Sequence, residues 1–100
     1  MHSLGTNIIK VGSHIIWDCE GTFYPALAMK KFLLWCKVRN MLPANNNNMN
    51  LWCYSPAQKQ CYYKDVKHLI PPRVIQGTSS GRGNNTYLVQ KIAKYWGQTQ

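Results

Sequence analysis

Cys53 and Cys61 stand eight positions apart (53 to 61) in "WCYSPAQKQCYY", residues 52–63, among one tryptophan and three tyrosines. Thiols at that spacing offer three chemistries. A structural metal would use Cys53, Cys61 and His68, with Cys36 or Cys19 as a fourth ligand, and would organise a small fold around the ion. The intervals of 17, 17 and 8 between successive cysteines contain no close Cys-x-x-Cys pair. We therefore assign no metal ligands. A disulfide framework is the second reading, with Cys53–Cys61 as the first candidate pair and Cys19–Cys36 as the other. Each closed loop would contribute roughly 2–3 kcal/mol where strain is small. The third is the buried thiol acting as a small hydrophobe.

Catalytic groups are scarce. Asp18, Glu20 and Asp65 are the three acids of the chain, too few for a two-carboxylate site or a divalent-cation nuclease centre. Asp18 and Glu20 fall on one side of an extended stretch, but Gly21 and Thr22 follow and favour a solvated turn. His2, His14 and His68 lack the spacing of a three-histidine metal site, and no cofactor is implied. A metal-independent nuclease working through His and Lys is the least strained enzymatic reading. The balance is against an enzyme, and no catalytic residue is assigned.

"GTSSGRGNN", residues 77–85, combines glycines, two serines and Arg82 ahead of an amphipathic stretch, which suits a general phosphate contact. It lacks the Lys-Ser or Lys-Thr pair of a nucleotide-binding loop and the dinucleotide fingerprint. A plain surface loop is the simpler reading.

Charge is the strongest global signal. Twelve Lys and Arg against three acids give a net charge of +9, so a positive surface is unavoidable and a polyanion is its natural partner. Lys outnumbers Arg nine to three, which favours diffuse attraction over bidentate reading of guanine edges. Lys59, Lys64, Lys67 and Arg73 surround tyrosines that include Tyr62. Arg82, Tyr87, Lys91 and Lys94 make a second set. Cations that neutralise phosphates, interleaved with rings that stack on bases, suit RNA or single-stranded nucleic acid. In a strand Tyr62 and Lys64 share one face and Tyr63 takes the other, so at least one tyrosine belongs to the core.

The elements that must position these groups read as follows. "TNIIKVGSHIIW", residues 6–17, predicts two short strands or one bulged strand, followed by a turn at "DCEGT". Residues 26–41 predict a helix after Pro25, with Ala28, Met29, Phe32, Trp35 and Cys36 on its buried face and Lys30 and Lys37 opposite. Residues 43–50, with Pro43 and four consecutive asparagines, predict a flexible loop. "MNLWCY" and "QCYYKDV" predict a hairpin around "SPAQK", and an edge strand follows Pro72. Residues 77–85 predict a second flexible loop, and "TYLVQKIAKYW" a terminal helix. The expected fold is α+β: a small antiparallel sheet with two helices, residues 1–100 forming one basic domain.

Two function classes remain. The leading expectation is an intracellular protein that binds RNA or single-stranded nucleic acid with little base readout. The alternative is a secreted, disulfide-stabilised cationic toxin or a module for an acidic glycan or cell-surface receptor, a reading to which the "NNT" sequon at Asn84 belongs. The longest apolar run, "FLLWC" at 32–36, is too short to span a bilayer, and no signal-like segment opens the chain. Association with a membrane surface is a minor third reading.

Overall fold

The computed structural model describes residues 8–44 and 51–71, together with the backbone of 75–77 and 86–89. Seven strands run in chain order: β1 (His14–Cys19), β2 (Thr22–Lys31), β3 (Trp35–Pro43), β4 (Leu51–Tyr62), β5 (Val66–Ile70), β6 (Ile75–Gly77) and β7 (Thr86–Val89). A 3-10 turn, Tyr63–Asp65, separates β4 from β5. The sheet order is β5-β1-β2-β3-β4-β7-β6, and every pairing is antiparallel.

The expected α+β class is therefore corrected to an antiparallel β fold. The described residues contain no α-helix. Residues predicted as the first helix form the β2–β3 hairpin instead. Ala, Leu, Met and Lys are good helix formers, but intrinsic propensity is small per residue and tertiary pairing overrides it. The same residues also satisfy a period of two: Ala26 and Ala28 on β2, and Cys36, Val38 and Asn40 on β3, are all buried. Of the predicted terminal helix, Thr86–Val89 is strand, and the remainder lies outside the described residues. So do residues 45–50 and 78–85 of the two predicted loops.

The expected hairpin around "SPAQK" is also corrected, because Leu51–Tyr62 is one strand of 12 residues. Gln58 pairs with Arg39 and Tyr54 with Met41, so residues 55–57 face Asn40 alone. Pro56 sits in that bulge, where no ladder N–H is required of it.

The sheet is rolled. In the order β5-β1-β2-β3-β4 the first and last strands would lie about 19 Å apart if flat, at four strand spacings. Yet three residues of 3-10 turn, which advance roughly 6 Å, carry the chain from β4 to β5. The joined ends of β4 and β5 must therefore approach each other, curving this five-strand stretch of the sheet. His14 Nε2 on β1 lies 2.6 Å from the Tyr54 hydroxyl on β4, a separate tie between these strands. Register shifts at Ile16/Trp17, Ala28/Lys30 and Arg39/Met41 supply local bends.

Inside the roll, Ile9, Ile15, Trp17, Ala26, Ala28, Cys36, Val38, Cys61, Tyr63 and Val66 form one apolar cluster. Trp17 Nε1 donates to Asn40 Oδ1 at 2.7 Å, which satisfies both buried polar groups. Ile16, Met41, Trp52 and Ile70 are buried outside that cluster.

Candidate nucleic-acid interface

The β2–β3 hairpin ends in an apolar tip. Phe32 N–H donates to the Trp35 carbonyl at 2.8 Å, closing the chain around Leu33 and Leu34. Leu33 is 85% exposed and Leu34 68% exposed, with nothing in their own side chains to favour a turn. Three contacts hold the tip. The Phe32 and Trp35 rings stack at 4.2 Å and 22°. Tyr63 Oη donates to the Phe32 carbonyl at 2.7 Å. Tyr63 N–H donates to the Leu34 carbonyl at 3.2 Å.

From this tip a stripe runs along the outer side of the sheet. Cys36, Val38 and Cys61 point into the core, so Trp35, Lys37 and Arg39 on β3, and Tyr62, Gln60 and Gln58 on β4, point outward. The register sets them in rows: Trp35 opposite Tyr62, Lys37 between Lys30 and Gln60, and Arg39 between Leu27 and Gln58. Lys30 Nζ lies 5.4 Å from the Phe32 ring centroid and Lys64 Nζ 6.0 Å from that of Tyr62. The Nε of Arg39 is buried and has no hydrogen-bond partner among the described residues. Lys30 and Lys37 are direct cross-strand partners, a like-charge pairing that costs free energy unless an anion bridges it.

The acids gather in a cleft that adjoins the stripe at Gln60 and at the Lys64–Asp65 pair. Asp18, Glu20 and Asp65 all line this cleft of about 300 Å³ with Trp17, Cys19, Lys59 and Gln60. Asp18 Oδ1 accepts the Gly21 N–H at 2.8 Å, which makes it a turn-forming residue. Lys64 and Asp65 form a surface ion pair at 3.5 Å, worth at most about 1 kcal/mol at such exposure.

The residues expected from sequence are thus separated. Tyr62 and Lys64 come together, but from the end of β4 and the 3-10 turn and not by alternation along one strand, and Tyr63 is the buried tyrosine. Lys59 pairs with Val38 on the inward side and lines the acidic cleft. Lys67 is exposed on β5. Tyr87 lies on β7; Arg73, Arg82, Lys91 and Lys94 lie outside the described residues. Phe32 and Trp35 were missed as surface groups because the helix reading buries both; it sets Lys30 and Lys37 towards solvent but on the face opposite those rings, and Arg39 falls outside its pattern. The signal that finds them is the two-residue alternation on either side of Leu33–Leu34.

The cysteines do not follow the expected pairings. All four are free. Cys53 and Cys61 share one extended strand and cannot meet. Cys61 is instead the ladder partner of Cys36, and Cys53 that of Leu42 and Thr86. Among the described residues no three His, Cys, Asp or Glu side chains are arranged to hold a metal.

His14 stacks on Tyr54 with ring centroids 6.0 Å apart. Burial lowers its pKa to about 4, and it also lowers that of His68. His14 is therefore neutral at physiological pH and serves as a tie between β1 and β4. Among the described residues no helix is long and apolar enough to cross a membrane. Comparison with protein-family models, curated proteins and solved structures finds no match.

Proposed function

We propose that this protein binds RNA or single-stranded nucleic acid, with little base readout, through the stripe formed by Lys30, Phe32, Trp35, Lys37, Tyr62 and Lys64. The interleaving of cations and rings carries the reading. Lys30 over Phe32, Lys64 over Tyr62 and the Lys30–Lys37 pairing bring positive charge to the edge of an aromatic platform. Phosphates would relieve the lysine repulsion while bases stack on the rings, two gains that require no base-specific donor. Arg39, with its buried Nε unpaired, extends the charge along the same rows. Arg73, Arg82, Lys91 and Lys94 add to it by charge alone. An intracellular setting goes with this reading.

A labelled oligouridine titrated with the full chain tests the proposal. Three or four phosphate contacts at about −0.7 each predict a slope of log affinity against log salt of roughly −2 to −3. Absence of binding at low salt, or binding indifferent to salt, overturns it. The exposed Leu33 and Leu34 favour a second reading, insertion of the tip into an anionic lipid surface. Flotation with anionic and neutral vesicles separates the two. Vesicle binding that is lost in L33D/L34D, with no oligouridine binding, would favour lipid.

A further inference from the structure

Cys36 and Cys61 face each other across the β3–β4 ladder, and both are fully buried. The kind of pair they form follows from the tip. Tyr63 N–H bonds the Leu34 carbonyl, so position 34/63 is a hydrogen-bonded pair. Such pairs alternate in an antiparallel ladder, which makes Trp35/Tyr62 non-bonded and Cys36/Cys61 hydrogen-bonded. The Cα atoms of a hydrogen-bonded pair are about 5.5 Å apart, inside the range of roughly 4.4–6.8 Å that a disulfide spans. The Cβ atoms of such a pair are spaced at up to about 5.5 Å, wider than the roughly 3.8 Å of a relaxed disulfide. A bond here must draw the strands inward, and that strain favours its reduction.

We propose that Cys36 and Cys61 are a reversible cross-linking site, oxidised by a hydroperoxide to an interstrand disulfide that staples β3 to β4. The roles of the two thiols are unequal. The Cys61 thiol beside it, and then the charge of Lys31, lower the Cys36 pKa despite burial. The neighbouring Cys36 and burial raise that of Cys61, whose Sγ–H donates to the Tyr62 carbonyl at 3.6 Å. Lys31 is the ladder partner of Cys36 on the other side, on β2.

Because Lys31 pairs with Cys36 across the β2–β3 ladder and favours a thiolate there, Cys36 is assigned as the attacking sulfur. Its thiolate displaces alkoxide, or hydroxide from hydrogen peroxide, as the O–O bond breaks; the leaving oxygen takes up a proton, and Cys36 becomes a sulfenic acid. The Cys61 sulfur then attacks the Cys36 sulfur. The S–O bond breaks, the departing hydroxide takes the Cys61 proton to leave as water, and the S–S bond forms. Two thiols lose two electrons in total, and one peroxide is reduced to an alcohol, or water, plus water. Access requires local opening of the ladder, beside the exposed Leu33–Leu34 turn. The site does not depend on the nucleic-acid reading, although Trp35 and Tyr62 adjoin the two cysteines in the chain and would report the movement.

Trypsin separates the four cysteines, placing Cys36 in residues 32–37, Cys61 in 60–64, Cys19 in 11–30 and Cys53 in 40–59. The reduced full chain is treated with equimolar hydrogen peroxide, alkylated, weighed and digested. The expected result is two alkyl groups in place of four with a further mass loss of about 2 Da from one new S–S bond, a 32–37/60–64 cross-linked peptide, and complete reversal by dithiothreitol. C19S and C53S should cross-link like the wild type, and C36S should not. Four free thiols after peroxide overturn the proposal, as do a cross-link involving Cys19 or Cys53 and oxygen addition to Cys36 without a bond. Because the decisive measurement is made on the wild-type chain, a C36S variant that fails to fold leaves the test intact.

Discussion

Two neighbouring hairpins close with two-residue turns that could hardly be more different. The β1–β2 turn is Glu20–Gly21, with φ of 54° and 91°, and Cys19 pairs directly with Thr22 across it. Both central residues are left-handed, as a type I′ turn requires, and Asp18 caps the Gly21 N–H. The β2–β3 turn is Leu33–Leu34, with no glycine and no capping side chain of its own. It is held from outside by Tyr63 and by the Phe32–Trp35 stack. The first turn is made by local chemistry and carries acid. The second spends tertiary contacts to hold two leucines in water beside a platform of rings and lysines. A protein tolerates that expense where the exposed surface has work to do.

The largest effect expected from this contrast is on binding. K30E/K37E should lower oligouridine affinity by about 100-fold, since it reverses two phosphate contacts, whereas D18N/E20Q at the other turn should leave it unchanged or slightly raised. Fluorescence anisotropy at fixed salt checks both. Equal losses at the two ends would erase the distinction between them.

Acid should act on the roll of the sheet, before either turn. His14 has a pKa of about 4 in the fold against 6.5 for an unperturbed imidazole, so the unfolded chain binds the proton first. Stability is therefore full above about pH 6.5 and falls as the pH drops towards 4. The loss should be about 1–3 kcal/mol, discounted for partial exposure of the ring. Urea midpoints between pH 7 and 4 measure it, and H14Q should flatten the profile. A wild-type curve flat over that window would contradict the buried, neutral imidazole.

Tyr63→Phe probes the outside support of the leucine turn. The Phe32 carbonyl would lose its donor at a partly buried site, at a cost of about 1–2 kcal/mol. The same change should weaken oligouridine binding by loosening the Phe32–Trp35 stack. Urea denaturation with parallel titration distinguishes a support from a neutral contact: no change in either would mean that the tip holds itself.

The contrast also explains what the sequence disclosed. "DCEGT" announces its turn because Gly21 and Asp18 are local signals. "KKFLLW" hides one, since nothing in Leu33–Leu34 breaks a helical pattern and the apolar positions from Ala26 to Cys36 fit a period of 3.6 well enough. "SPAQK" did mark an irregularity, but Pro56 signals only that a ladder bond is missing. A bulge within β4 satisfies that as fully as a turn. The same division runs through the site. Tyr62 and Lys64 were legible as neighbours because they are two residues apart in the chain, although a 3-10 turn and not strand alternation brings them together. Lys30 and Lys37 became neighbours only through β2–β3 pairing, and Cys36 met Cys61 only through the β3–β4 register, both of them facts of topology.

The smallest effect expected is at the acidic turn, and it tests how local that turn is. Glu20 is the non-glycine residue with positive φ among those described, and a left-handed residue other than Gly or Asn carries a cost of roughly 1 kcal/mol. Glu20→Asn should therefore raise stability by about 0.5–1 kcal/mol. Binding should stay the same, because position 20 faces the cleft and not the stripe. A thermal melt alongside the oligouridine titration reads both quantities. If Glu20→Asn instead destabilised the protein, Glu20 would be engaged in the cleft more strongly than its exposed position suggests, and this turn, like its neighbour, would owe its shape to contacts beyond itself.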